Sequence, residues 1–152
     1  MAKNIGQICK RNVVTIRMSE DLTAAARSMR EKHIGYLVVA EPQADGTTKP
    51  VGVLTDRDIV IAVVAREVDA RTLTVGDVMT RKPTVAAEDV GIETALQDMR
   101  RIGVRRLPVV GLRGQLVGVL SLDDVLEALA EDLANIAGSI RNEQRIEGTL
   151  RT

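Results

Sequence analysis

Aromatic side chains are almost missing from this sequence: it has no Trp and no Phe, and Tyr36 is the single Tyr. A core built from this chain must therefore be aliphatic, and recognition of bases by stacking on aromatic platforms is excluded. Cysteine is as scarce. Cys9 stands alone, so no intrachain disulfide can form, a reducing compartment is expected, and a buried, inert thiol is its default role. Net charge is missing too. Lys and Arg number 21 against 21 Asp and Glu, which argues against a nucleic-acid or membrane-surface role. No apolar run is long enough to span a bilayer, and no signal-peptide core is present. One His and one Cys supply neither a metal cluster nor a nucleophile–base arrangement, so the chain is not expected to be an enzyme. These absences together point to a soluble, cytoplasmic protein.

What is present is ordinary in bulk and unusual in order. With 45% hydrophobic and 28% charged residues over 152 positions, the chain reads as one globular domain or two small, intimately packed halves. The second possibility is favoured by a stretch written twice, Gly52-Val53-Leu54-Thr55-Asp56-Arg57-Asp58 and Gly118-Val119-Leu120-Ser121-Leu122-Asp123-Asp124. Each is a strand that turns directly into a helix, with a hydroxyl at the N-cap and a carboxylate one turn inside. Two explanations compete. The hydroxyl and acid resemble a capping box, although Glu or Gln usually supplies that acid and Asp is short for the reach back. Alternatively, the helix-start amides and the hydroxyl receive a phosphate while the Asp accepts two hydrogen bonds from a ribose diol. Duplication inside a larger repeat favours the nucleotide site.

The larger repeat is legible on both sides of these motifs. Ile5–Cys9 matches Val75–Met79 as a short helical lead-in, and strands are expected over Val13–Ile16 and Pro83–Ala86. Leu22, Ala25, Ala26 and Met29 share one helical face, which Ile92, Ala95, Leu96 and Met99 repeat 70 residues on. Met29 and Met99 are read as core. His33 ends the first of these helices and is read as a partner for its C-terminal dipole. Strands Tyr36–Ala40 and Arg106–Val110 follow. The first copy then has a long polar connection, Glu41–Pro50, whereas the second turns tightly at Arg113-Gly114-Gln115, and Gly111, Gly114 and Gly118 punctuate that hairpin. Each copy thus reads β-α-β-β-α, giving an α/β (α+β) fold of tandem repeats: 5–66, a linker at 67–74, then 75–135. Residues 136–152 form a C-terminal helical extension and tail. Its stripe, Val125, Leu126, Leu129, Leu133, Ile136, Ala137 and Ile140, outruns the repeat. Gly138-Ser139 is expected to weaken or bend the helix, and 141–152 to fray. A stripe this long either folds back on its own module or makes a symmetric dimer contact, and the dimer is expected.

On the repeat and its two glycine–hydroxyl–aspartate motifs, the chain resembles a cystathionine-β-synthase (CBS) domain pair of the stand-alone, bacterial type, over roughly residues 5–135. The resemblance implies two repeats packed about a pseudo-twofold axis with two clefts between them, often dimerised into a flat disc. It implies adenosine ligands as regulatory molecules: AMP, ADP or ATP, in some members S-adenosylmethionine or NAD, with no cofactor required. By position, Asp58 and Asp124 would hold ribose hydroxyls and Thr55 and Ser121 would contact phosphate. Val14-Thr15 and Thr84-Val85 would wall the adenine. The clefts cannot be equivalent, because Gly35-Tyr36 in the first copy is Arg105-Arg106 in the second, and Thr15 is replaced by Val85. Phosphate needs positive charge; Arg57 is the candidate for the Asp58 cleft and Arg105-Arg106 for the Asp124 cleft, the alternative for that pair being a solvated strand edge. The expected function is a regulatory nucleotide-binding module that senses energy or metabolic state and passes its signal to a protein effector or a homodimer partner. The competing expectation is an interaction dimer with vestigial clefts that works through its C-terminal helix.

Overall fold

A computed structural model describes residues 3–151. In chain order the elements are α1 (Ile5–Ile8), β1 (Thr15–Ile16), α2 (Leu22–Lys32), β2 (Tyr36–Pro42), β3 (Thr48–Thr55) and α3 (Asp56–Ile59), which runs on as a π-helical turn over Val60–Val64. After the connection come α4 (Val75–Val78), β4 (Thr80–Arg81), β5 (Ala86–Ala87), α5 (Ile92–Ile102), β6 (Arg106–Val110), β7 (Leu116–Ser121) and α6 (Leu122–Leu150). Mixed α/β architecture is therefore as the repeat implies.

Two sheets carry the halves, one in the order β1-β2-β3-β4 and the other β5-β6-β7. In each, a short edge strand runs parallel to the middle strand, which forms an antiparallel hairpin with the next. The helix termini explain the spacing. Asp21 caps α2 through the Ala24 amide at 2.7 Å. Both central helices end on a left-handed residue at the same repeat position, His33 (φ 53°) and Gly103 (φ 72°).

The halves are not simply side by side, because each lends its lead-in to the other. Val75 and Met79 are buried in the first half's core with Leu22, Met29, Leu37 and Leu54. Ile5 is buried in the second half's core with Met99, Leu107 and Leu120. The strand after each lead-in helix follows it across: Thr80 and Arg81 pair with Val53 and Gly52, and Lys10 pairs with Val119. This exchange explains the glycine that opens each duplicated motif. A Cβ on Gly52 would lie 2.5 Å from Met79 Sδ, and one on Gly118 would lie 2.8 Å from the Lys10 carbonyl oxygen.

Three local expectations change. The first strand is Thr15–Ile16 rather than Val13–Ile16, and its counterpart is Ala86–Ala87 rather than Pro83–Ala86; ahead of Thr15 the Val14 carbonyl still accepts from the Val38 amide, while Pro83 has no amide to donate to a ladder. Helix α6 does not break at Gly138-Ser139: Ser139 Oγ donates to the Asn135 carbonyl at 3.0 Å, which keeps the hydroxyl inside the helical bonding pattern. The segment expected to fray is helical through Leu150; Thr152 lies outside the described residues.

Candidate functional site

Both strand-to-helix corners close with a full capping box. Thr55 Oγ1 accepts from the Asp58 amide at 3.1 Å, and Asp58 Oδ2 accepts from the Thr55 amide at 2.9 Å. Ser121 Oγ accepts from the Asp124 amide at 3.1 Å, and Asp124 Oδ2 accepts from the Ser121 amide at 2.8 Å. Asp is thus long enough for the reach back, because the extended backbone at each N-cap (ψ near 160°) tips its amide toward the first turn. The cap does not exhaust these groups. Each hydroxyl keeps its own O–H to donate, and each carboxylate keeps one oxygen.

The environments of those spare oxygens differ. Asp124 is 5% exposed, and Lys10, arriving from the other half, places Nζ 3.7 Å from its Oδ1. That separation exceeds the usual N–H···O range, so the contact is electrostatic rather than a hydrogen bond. Asp58 is half-buried and lines a cavity of about 310 Å³ with Ile61, Ala62 and Arg66 of its own half and Asp77 and Val78 of the other. Asp77 closes the α4 capping box with Thr74, whose amide holds its carboxyl below the usual range. The residue that corresponds to Lys10 at this corner is Thr80, which brings no charge.

The corners meet across the first residues of the two middle strands. Tyr36 is in register with Thr55, and Arg106 with Ser121. The Arg106 guanidinium lies over the Tyr36 ring, 5.7 Å from its centroid, a cation–π distance. These two residues are separated by the repeat offset, so their contact marks where the halves face each other about a local twofold. The Tyr36 hydroxyl is buried without a hydrogen-bond partner. Burial pushes its pKa up, and Arg106 only partly offsets this.

Arg105 and Arg106 are exposed, as is Arg57. The Arg105 carbonyl accepts from the Leu122 amide at 3.0 Å, as the Gly35 carbonyl does from Asp56 at 3.0 Å. A Cβ at Gly35 would come 2.6 Å from Asp56 Oδ2, so a larger residue there would turn the exposed Asp56 side chain aside. Val14 and Thr15 lie at the Tyr36 end of the first sheet: Thr15 is in register with Val38, and the Val14 carbonyl accepts from the Val38 amide. Thr84 and Val85 precede β5 in the same way. Val85, however, lines a different cavity of about 390 Å³ between the hairpins, with Lys49, Pro50, Lys82 and Val110. Val14, Thr15 and Thr84 line neither cavity. Residues that sequence reasoning missed are Lys10, Arg66 and Asp77. For Lys10 and Asp77 the signal is the lead-in repeat itself, readable only once the exchange between halves is known; Arg66, at the start of the polar connection, carries no such mark. No group of three or more His, Cys, Asp or Glu is placed to hold a metal among the described residues, and no helix among them is long and apolar enough to cross a membrane.

Comparison with known proteins agrees with this fold. The CBS domain family matches residues 5–65 and 75–131. Hypoxic response protein 1 of Mycobacterium tuberculosis is 35% identical over 124 residues, covering 82% of this chain and 83% of that protein. CBSX2, solved in complex with AMP, superposes with a TM-score of 0.69 at 26% identity over 85% of this chain and 97% of that one. A hexameric CBS-CP12 protein from bloom-forming cyanobacteria superposes with a TM-score of 0.71 at 29% identity, covering 91% and 84%. The chain spans 61% and 76% of the length of two archaeal relatives, from Methanopyrus kandleri and Acidianus ambivalens.

Proposed function

This chain belongs to the CBS-domain family, and we propose that its paired repeats form a regulatory module that binds an adenosine ligand where the two corners meet. The reading is of a binding protein rather than an enzyme, cytoplasmic, with AMP, ADP or ATP as first candidates and S-adenosylmethionine and NAD as the wider class. Supporting it, CBSX2, a relative of the same fold, was solved with AMP.

One observation carries the proposal: a buried carboxylate with an oxygen to spare. Asp124 is 5% exposed, uses Oδ2 in its cap, and offers Oδ1 beside the Lys10 ammonium, which arrives from the other half. A ribose diol donates two hydrogen bonds and suits such an acceptor. In this reading Ser121 and the amides at the start of α6 meet the phosphate, and Arg105 and Arg106 supply charge. Asp58, Thr55 and Arg57 play the corresponding parts at the first corner. Val14-Thr15 and Thr84-Val85 flank the base, and Tyr36 sits between the clefts. Arg106 resting on Tyr36 can leave that ring for a phosphate, which would bias the packing of one half on the other and so report occupancy to an effector protein. A ligand shifts such an equilibrium only through its differential affinity for the two arrangements.

A thermal-shift series with AMP, ADP, ATP, S-adenosylmethionine and NAD tests this. At 100 times its dissociation constant a ligand adds about 2.7 kcal/mol, a rise of roughly 5–10 °C for a chain of this size. Replacing Arg105 and Arg106 together by Ala should weaken binding at the Asp124 corner and so reduce that rise, while leaving the unliganded midpoint within about 2 °C; an unchanged titration would count against the role of this pair. A flat response across all five compounds would reject the adenosine reading.

A further inference from the structure

Helix α6 has 29 residues, a rod about 43 Å long, yet the body holds only its first two turns. Its buried residues are Asp124, Val125 and Ala128, and Lys3 adds contacts to Glu131 and Asp132 at 3.3 and 3.5 Å. Beyond these the rod stands clear. Along it Leu126, Leu129, Leu133, Ile136 and Ile140 are 63, 46, 67, 59 and 52% exposed. Their spacing alternates three and four, an average of 3.5. That is the narrow seam of a coiled coil, not the broader face that packs on a globular core. A lone helix with Gly138 and Gly148 in its exposed part is poorly stable in water, since glycine is unfavourable in a helix interior and helices nucleate at a cost.

We propose that this seam is covered by the α6 of a second copy of the same chain, running antiparallel with the molecular twofold at Leu133. The seam is self-complementary in that arrangement. Leu133 meets its own counterpart, Leu126 lies against Ile140, and Leu129 lies against Ile136. Ala130 and Ala137 flank the contact and let the rods approach closely. Charge selects the direction. Asp123, Asp124, Glu127, Glu131 and Asp132 lie in the first part of α6, and residues 122–140 contain no Lys or Arg, whereas the second part is neutral, with Arg141 and Arg145 set against Glu143 and Glu147. A parallel pair would set one acidic row beside another. The antiparallel pair instead lays each acidic start beside the other copy's neutral second part, where Arg141 and Arg145 lie, and opposes the two helix dipoles. The isologous contact closes at two copies and leaves no open end. It stands apart from the nucleotide reading, because no seam residue belongs to either corner.

The test uses the full chain without ligand. Light scattering should give an assembly whose mass falls by half on Leu133→Glu, with the body's thermal transition retained, because Leu133 is exposed and touches no core. A wild-type mass of a single chain, or an assembly that Leu133→Glu leaves unchanged, overturns the proposal. Direction is read by cysteine pairing in a Cys9→Ala background. On mild oxidation Leu133→Cys should form covalent dimers, Leu126→Cys alone should not, and a mixture of Leu126→Cys with Ile140→Cys chains should. Efficient pairing of Leu126→Cys with itself would mean a parallel contact and would overturn the antiparallel assignment.

Discussion

At Thr55 and at Ser121 the same pair of hydrogen bonds closes the start of a helix, and in both places a glycine three residues earlier admits a strand from the other half. Around those shared parts the charges diverge. Asp124 is buried beside Lys10, whereas Asp58 borders a cavity beside Asp77 and Arg66, and the position matching Lys10 is Thr80. Glycine, hydroxyl and aspartate repeat because the exchange of lead-ins and the helix caps demand them in each half. Lys10, Arg57, Arg105 and Tyr36 are not constrained by the fold, so they are free to differ. The two corners therefore separate what the architecture needs from what a ligand would distinguish.

The largest effect should come from the exchange itself. A Cβ at Gly118 meets Cys9 Sγ at 2.7 Å and the Lys10 carbonyl oxygen at 2.8 Å, while one at Gly52 meets Met79 Sδ at 2.5 Å and the Thr80 carbonyl oxygen at 3.0 Å. Backbone cannot yield as a thioether can. Gly118→Ala should cost about 2–3 kcal/mol and Gly52→Ala about 1–2 kcal/mol, seen as unequal falls in melting temperature. A larger fall for Gly52→Ala would break the comparison, since it would mean that Met79 is the more rigid obstacle.

The carboxylates come next. Either Asp→Ala change removes the reach-back half of a capping box and leaves its hydroxyl cap, a loss of about 1 kcal/mol. Both changes also strand the N-cap amide in a part-buried site, and because Asp124 is 5% exposed whereas Asp58 is half-buried, the loss at Asp124 is expected to be the larger, about 2 kcal/mol. The Lys10 contribution is small, because its side chain is 74% exposed and solvent screens it. Denaturant titration of both variants gives the difference; equal losses would show that burial around Asp124 adds nothing to the cap.

Much of this could be read before any coordinates. The tandem repeat, the core helices of Met29 and Met99 (7 and 2% exposed) and the corner hydroxyls follow from periodicity and N-cap chemistry, which are local. What escaped is non-local or nearly neutral in energy. Nothing near Lys10 says that it reaches Asp124, because the lead-in crosses to a half whose motif lies more than a hundred residues away. The π-helical turn at Val60–Val64 also has no local mark, since Val-Ile-Ala-Val-Val is apolar in any helical form. Gly138-Ser139 misled because propensity penalties of about 1 kcal/mol weigh little against continuation of a long helix.

Tyr36 and Arg106 occupy equivalent places, and the smallest effect is the sharpest test of their contact. Tyr36 Oη is buried without a partner, so Tyr36→Phe forfeits no hydrogen bond and should leave stability at neutral pH unchanged or higher by up to about 1 kcal/mol. Alkali should then part the two proteins. Burial raises the Tyr36 pKa above its ordinary 10.0, so above pH 10 the unfolded chain releases a proton that the folded chain retains. The stability this group contributes is complete below pH 10 and drains away above it, at up to about 1.4 kcal/mol per pH unit. The Phe variant lacks that loss. Because Tyr36 is the only tyrosine, absorbance of its phenolate reports the same group directly. Parallel alkaline decline of both proteins, with phenolate appearing near pH 10 in the folded chain, would show that water reaches the ring and that Arg106 does not seal it.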